Sequence, residues 1–92
     1  MKTKKHPPIE IERVQTGVRI ERRLLKVMKA VAELHDVSLG NLIEGIALHA
    51  FEGKAPFSAE SLAQIDKIKS VYGLDLDASA SHQLSEPSDE RR

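Results

Sequence analysis

The stretch VQTGVRIERRLLKVMKAVAELH, residues 14–35, decides the predicted fold. In its first seven residues, VQTGVRI, every second side chain is apolar or β-branched, as in a half-buried strand. These side chains are Val14, Thr16, Val18 and Ile20. After Ile20 the apolar spacing changes from two residues to about 3.6, which is typical of an amphipathic helix. The stretch therefore predicts one strand followed directly by a helix.

A second helix is predicted in SLGNLIEGIALHAFEG, residues 38–53, where the helical spacing continues. Ser38 is a good N-cap, and Asp36 tolerates the left-handed conformation that a tight turn before this helix requires. Gly40 and Gly45 lie inside the helix, and each costs roughly 1 kcal/mol relative to alanine. Their usual justification is a close approach of a neighbouring backbone, and the alternative is that the helix merely tolerates them.

A third helix is predicted in FSAESLAQIDKIKSVYG, residues 57–73, with Ser58 as its N-cap and Gly73 at its end. It carries a narrow apolar stripe that must pack against the first two helices or against another chain. The stripe consists of Leu62, Ile65, Ile68 and Tyr72. From residue 77 onward the chain is polar and rich in serine, which predicts disorder.

The composition limits the possible functions. A chain of 92 residues without cysteine has no disulfide to support a small core, so we expect oligomerisation to help. No apolar run is long enough to span a membrane, which predicts a soluble, cytoplasmic protein without membrane partners. The sequence shows no nucleophile motif or nucleotide-binding loop, and its four histidines are scattered. We therefore expect no enzyme activity, no cofactor and no metal site.

The formal net charge of zero hides a strong asymmetry. Residues 1–29 contain nine lysines and arginines against three glutamates, a net charge of +6. The remaining residues contain five basic against eleven acidic side chains, a net charge of −6. A basic end in a chain divided this way indicates a nucleic acid or another anionic surface as partner.

The predicted strand needs a partner, because the backbone N–H and C=O groups of a strand must be paired. The chain contains only one convincing strand, so we expect a second copy to supply the other. Antiparallel pairing would place the apolar side against the helices and leave Gln15, Gly17 and Arg19 facing outward. A two-stranded ribbon of this kind fits the major groove of DNA, which predicts a homodimer that binds double-stranded DNA.

Between residues 13 and 53 the chain resembles the ribbon-helix-helix repressors of the Arc, MetJ and CopG class. The resemblance rests on TGVRIERRLLKVMKAVAELHDVSLGNLIEGIALHAF, residues 16–51. This stretch combines a short alternating strand, a helix, a tight turn, and a Ser-capped helix with Leu42 and Ile43 in its early turns. The resemblance implies a mainly α fold with one short strand per chain, assembled as a ribbon-helix-helix homodimer, to which this chain adds a C-terminal helix.

The resemblance also implies which residues contact DNA. Bases are expected to be read by Gln15, Gly17 and Arg19, with Arg19 suited to guanine and Gln15 to adenine. Gly17 has no side chain with which to read a base, which leaves open a protein-assembly module on the same fold. The first amides of the second helix are expected to bind a phosphate, which the helix dipole also favours. These amides belong to Ser38, Leu39 and Gly40.

Two larger sets of residues complete the expected interface and core. Basic side chains are expected to contact phosphates, namely Arg13, Arg22, Arg23, Lys2, Lys4 and Lys5. Apolar and β-branched side chains are expected to form the core of the dimer, namely Val14, Thr16, Val18, Ile20, Leu24, Val27, Met28, Val31, Leu34, Leu42, Ile43 and Ile46.

The chain divides into four predicted regions. They are a basic N-terminal arm at residues 1–12, the dimerisation and DNA-binding domain at 13–53, the C-terminal helix at 57–76 and the disordered polar tail at 77–92. The predicted function is a sequence-specific DNA-binding transcriptional regulator, most simply a repressor. The alternatives are the assembly module and an antitoxin whose C-terminal helix and acidic tail bind a toxin.

Overall fold

A computed structural model describes residues 8–87 of the protein. This part of the chain contains three α-helices: α1 at Arg22–Leu34, α2 at Leu39–Phe51 and α3 at Ala59–Tyr72. A short 3-10 turn follows at Ala78–Ala80. α1 is the central element, because it packs against both α2 and α3. The three helices expected from the apolar spacing are thus confirmed.

The predicted strand is wrong, and so is the β-ribbon fold class that depended on it, because residues 8–87 contain helices and no strand or sheet. Residues 14–20 lead into α1 without regular secondary structure, and both sides of this segment are exposed. Val14 and Val18, expected to face the helices, are 78% and 73% exposed. The physical reason is that alternation describes only where side chains point, whereas a strand also requires a second segment to pair its backbone.

The ends of the helices follow local rules. The hydroxyl of Ser38 accepts a hydrogen bond from the N–H of Asn41 at 3.1 Å and caps α2, and Ser58 caps α3 in the same way. Gly73 ends α3 in the left-handed conformation, with φ of 67°. Asp36 adopts φ of 60° in the turn between α1 and α2, as its residue type predicts.

The core within the chain is small. Only four side chains between residues 8 and 87 are buried, namely Val27, Val31, Ala32 and Leu42. Half-buried apolar side chains surround them, namely Met28, Leu39, Ile46, Phe57, Ile65, Ile68 and Leu74. Leu24 and Ile20 are half-buried, whereas Leu34 and Ile43 are exposed. A core of this size is weak for a chain of this length.

The C-terminal helix packs against α1, with Ile65 and Ile68 of its predicted stripe on the core. Leu62 and Tyr72, the other members of the stripe, are exposed. The stripe is therefore divided, and only its outer half is available to another protein.

After α3 the chain continues past the first turn of α1. Leu74 packs against the core, and the side chain of Asp77 accepts the N–H of Ser79 to begin the 3-10 turn at Ala78–Ala80. We refer to residues 74–87 as the C-terminal segment. Most of it falls in the region that the sequence predicts to be disordered, and residues 88–92 of that region lie outside the described residues.

Candidate nucleic-acid interface

Three cations lie along one exposed face of α1. Arg22, Lys26 and Lys29 are four and three residues apart, so they follow one another on the same side of the helix. At a rise of about 1.5 Å per residue, the row is about 10 Å long. Within residues 8–87, no carboxylate forms an ion pair with any of the three. We call this set the α1 basic row.

The remaining described arginines are paired with carboxylates of the same chain. Arg13 donates two hydrogen bonds to Glu44 of α2, from Nε at 2.9 Å and from Nη2 at 2.8 Å. Hydrogen bonding to Arg13 holds the pKa of Glu44 below its ordinary value. Both side chains are exposed, so this pair tethers the segment before α1 to α2 only weakly.

Arg19 forms a pair of the same two-pronged geometry with Glu86 in the C-terminal segment. Its Nε and Nη2 donate to the two carboxylate oxygens at 3.0 Å and 2.7 Å. The hydrogen bonds and the charge of Arg19 lower the pKa of Glu86, and Glu86 in turn raises the pKa of Arg19. The predicted base-reading arginine therefore already holds an anionic group of its own chain.

Arg23 lies at the start of α1 among three acceptors. It donates to Glu21 at 3.1 Å, to Asp75 at 3.0 Å and to the carbonyl oxygen of Gly73 at 3.0 Å. Hydrogen bonding to Glu21 and the nearby carboxylates raise the pKa of Arg23. Arg23 is thus used to attach the end of α3 to α1, in contrast to its neighbour in the α1 basic row.

Glu21 is a structural residue that sequence reasoning missed. Its carboxylate accepts the N–H of Leu24 at 2.8 Å and caps α1, and this hydrogen bond is the main reason that its pKa is lowered. The negative charge also offsets the unfavourable position of arginines in the first turn of a helix. Its place directly before the apolar stripe was the available signal, although glutamate is not among the usual N-cap residues.

The other predicted contact residues are accessible. Gln15, Gly17 and Arg19 are all exposed on the segment before α1. Ser38 and Gly40 are exposed at the start of α2, where the first N–H groups of a helix lack intrahelical acceptors. Lys2, Lys4 and Lys5 lie outside the described residues.

A second exposed surface is apolar and lies on α2. Gly40, Ile43, Ala47 and Phe51 follow one another at helical spacing, and we call them the α2 outer face. Phe51 is 82% exposed. A Cβ atom added at Gly40 or at Gly45 would meet no atom within 4 Å, so the close approach considered for these two glycines is not made within residues 8–87.

The described part of the chain contains no cluster of three histidine, aspartate or glutamate side chains able to hold a metal ion. None of its helices combines the length and the apolar character needed to cross a bilayer.

Comparison with known protein families, with curated proteins and with solved structures found no match to this chain.

Proposed function

We propose that this protein is a cytoplasmic, sequence-specific DNA-binding regulator of transcription that acts as a homodimer and represses by occupying its operator. The observation that carries the proposal is the α1 basic row, whose cations have no anionic partner among residues 8–87 while the arginines beside it do. Keeping three like charges together on one face is unfavourable unless an external anion faces them.

Double-stranded DNA suits this surface because of its charge density. Each strand of DNA carries one negative charge per about 3.4 Å of the helix axis, so a row about 10 Å long lies beside about three phosphates of one strand. The basic N-terminal arm precedes this surface in sequence and adds three lysines. Contacts of this kind provide affinity and orientation but carry no sequence information.

Specificity is assigned to Arg19, supported by the geometry of its bond to Glu86. Two parallel N–H groups of Arg19 engage two acceptor oxygens, as an arginine does with O6 and N7 of guanine. Gln15 lies four residues earlier on the same exposed segment and is suited to adenine.

The homodimer is assigned to the α2 outer face. The small core leaves much of α2 in contact with water, which favours assembly as a source of additional burial. A second copy packed there would bring backbones close at Gly40, which accounts for a glycine that the single chain leaves unexplained. Two copies would also present two basic surfaces to one operator.

Neutralising the α1 basic row tests DNA binding. The variant carries Arg22→Gln, Lys26→Gln and Lys29→Gln, and its affinity for a mixed-sequence duplex is measured by fluorescence anisotropy over a series of salt concentrations. We expect affinity to fall about tenfold or more and the slope of log K against log salt to become shallower by about two to three, because each lost phosphate contact contributes roughly one unit.

The matched control removes three positive charges from the acidic half of the chain. It carries Lys54→Gln, Lys67→Gln and Lys69→Gln, and we expect its salt slope to stay within about half a unit of that of the parent protein. An equal loss of slope in both variants would show that only net charge matters and would contradict an interface on α1.

Sequence specificity is tested with Arg19→Ala after selection of bound sequences from a random DNA pool. We expect the ratio of affinities for selected and scrambled duplexes to fall about tenfold. Undiminished discrimination would remove Arg19 from base reading and would favour the assembly module, as would failure of the parent protein to enrich any sequence.

A further inference from the structure

We propose that the C-terminal segment competes with DNA for Arg19. In the free protein the guanidinium of Arg19 is hydrogen-bonded to Glu86, and this contact must open before Arg19 can bind a base. The inference rests on the proposed function and adds a means of regulating it. It assigns a role to the acidic end of the chain, which DNA binding alone does not use.

Glu86 and DNA would use the same hydrogen-bond donors of Arg19. The Nε and Nη2 groups of Arg19 each donate to one oxygen of Glu86, which occupies both prongs of the fork. A guanine edge or a phosphate needs those two N–H groups in the same arrangement. Arg19 therefore cannot hold Glu86 and read a guanine at the same time.

The C-terminal segment is attached at two places, one in the first turn of α1 and one in the segment just before α1. Asp75, near its beginning, accepts a hydrogen bond from Arg23, and Glu86, near its end, accepts from Arg19. Between these two carboxylates, Leu76 and Leu84 line a shallow cavity together with Leu24 of α1. These leucines and the two ion pairs thus place the C-terminal segment beside Arg19.

The contact between Arg19 and Glu86 is exposed enough to open. The side chain of Arg19 is 83% exposed and that of Glu86 is 46% exposed, so water competes with the ion pair. Exposed ion pairs are weak, and a polyanion with many phosphates can displace a single carboxylate. The contact therefore reduces DNA affinity by the fraction of molecules in which it is closed, without abolishing binding.

The test removes the charge of Glu86 and keeps its shape. Glu86→Gln is compared with the parent protein for affinity to the selected duplex at fixed salt, and Glu52→Gln is the matched control. Glu52 is an exposed glutamate whose partner, Lys54, lies two residues away, and neither residue belongs to the proposed DNA interface. We expect Glu86→Gln to bind about two- to fivefold more tightly, and Glu52→Gln to change affinity by less than about 1.5-fold.

A double variant separates competition for Arg19 from a general effect of charge. In an Arg19→Ala background, Glu86→Gln should produce no gain in affinity, because the guanidinium for which DNA competes is absent. Equal gains from Glu86→Gln and Glu52→Gln, or a gain that persists without Arg19, would overturn the inference.

The same titrations distinguish failure of the inference from failure of the proposed function. If the parent protein binds DNA and Glu86→Gln has no selective effect, the competitor is excluded and DNA binding stands. If neither the parent protein nor Glu86→Gln binds any duplex at about 50 mM salt, a concentration that favours phosphate contacts, the proposed function falls and the competitor falls with it.

Discussion

Helices α1 and α2 have the same length, 13 residues each, but they differ in how many side chains they bury and how many charges they expose. α1 buries three side chains and carries five charged residues on the remainder of its surface. α2 buries a single side chain, Leu42, and carries a single charged residue, Glu44. α1 therefore packs its apolar side chains within the chain, whereas α2 packs Leu39, Leu42 and Ile46 but leaves Ile43, Leu48 and Phe51 exposed.

We proposed different partners for the two helices, and this difference supports that proposal. A helix with a buried apolar face and a row of cations that have no carboxylate partner within residues 8–87 is suited to a polyanion on its outer side. A helix that is apolar nearly all round is normally buried, and what this chain does not cover is available to a second copy. The following changes test that division, beginning with the largest expected effect.

Leu42→Ala removes the one buried side chain of α2. We expect the free energy of unfolding, measured by urea denaturation, to fall by about 2–4 kcal/mol, because truncating a buried leucine loses burial and leaves a cavity. Leu48→Ala, at a position of α2 that is 65% exposed, is the control and should cost less than about 1 kcal/mol. Equal losses at both positions would mean that α2 is buried more uniformly than the isolated chain indicates.

Phe51→Glu places a charge on the α2 outer face. We expect the dissociation constant of the homodimer, measured by analytical ultracentrifugation, to rise about tenfold or more, because a buried unpaired charge is costly. Val71→Glu is the matched control, since Val71 is similarly exposed but lies on α3. Dissociation caused by Val71→Glu and not by Phe51→Glu would move the interface to α3.

Glu21→Gln removes the charged cap of α1 and should have a smaller, pH-dependent effect. The pKa of Glu21 is lowered in the folded protein, so its charge stabilises the fold above the ordinary pKa of glutamate, and this contribution is lost as the pH falls through the lowered value. The parent protein should thus have the higher Tm at neutral pH, and the difference should close in acid. A difference that does not change with pH would rule out a role for the charge.

Glu44→Gln removes the only charge on α2 and its bond to Arg13. Because both side chains are exposed, we expect the Tm to change by no more than about 2 °C. A larger loss would show that the segment before α1 depends on this pair for its position and would link the two helices more tightly than their surfaces indicate.

The sequence predicted what depends on near neighbours and failed where distant residues meet. Ser38 and Ser58 cap helices because a hydroxyl needs only an N–H three residues later. The strand at residues 14–20 depended on a pairing that alternation cannot establish. Likewise, Arg19 and Glu86 are 67 residues apart, and nothing in the local pattern of either indicates the other.

The charge asymmetry was also visible in the sequence, but its division into paired and unpaired cations was not. Arg22 and Arg23 are adjacent and identical in type, yet one joins the α1 basic row and the other bonds to Glu21 and Asp75. Helix geometry places them about 100° apart, and Arg23 is the one that meets both Glu21 and the chain at the end of α3.

The left-handed conformation of Asp36 affects the stability of the turn between α1 and α2. At φ of 60° a residue with a Cβ atom has a conformational penalty that glycine avoids, so Asp36 costs the turn between α1 and α2 some of its stability. The turn is remote in sequence from Arg19 and Phe51. Asp36→Gly removes that penalty but gives the unfolded chain more conformational freedom, at a cost of roughly 0.5–1 kcal/mol. The two effects oppose each other, so we expect the free energy of unfolding to change by less than about 1 kcal/mol.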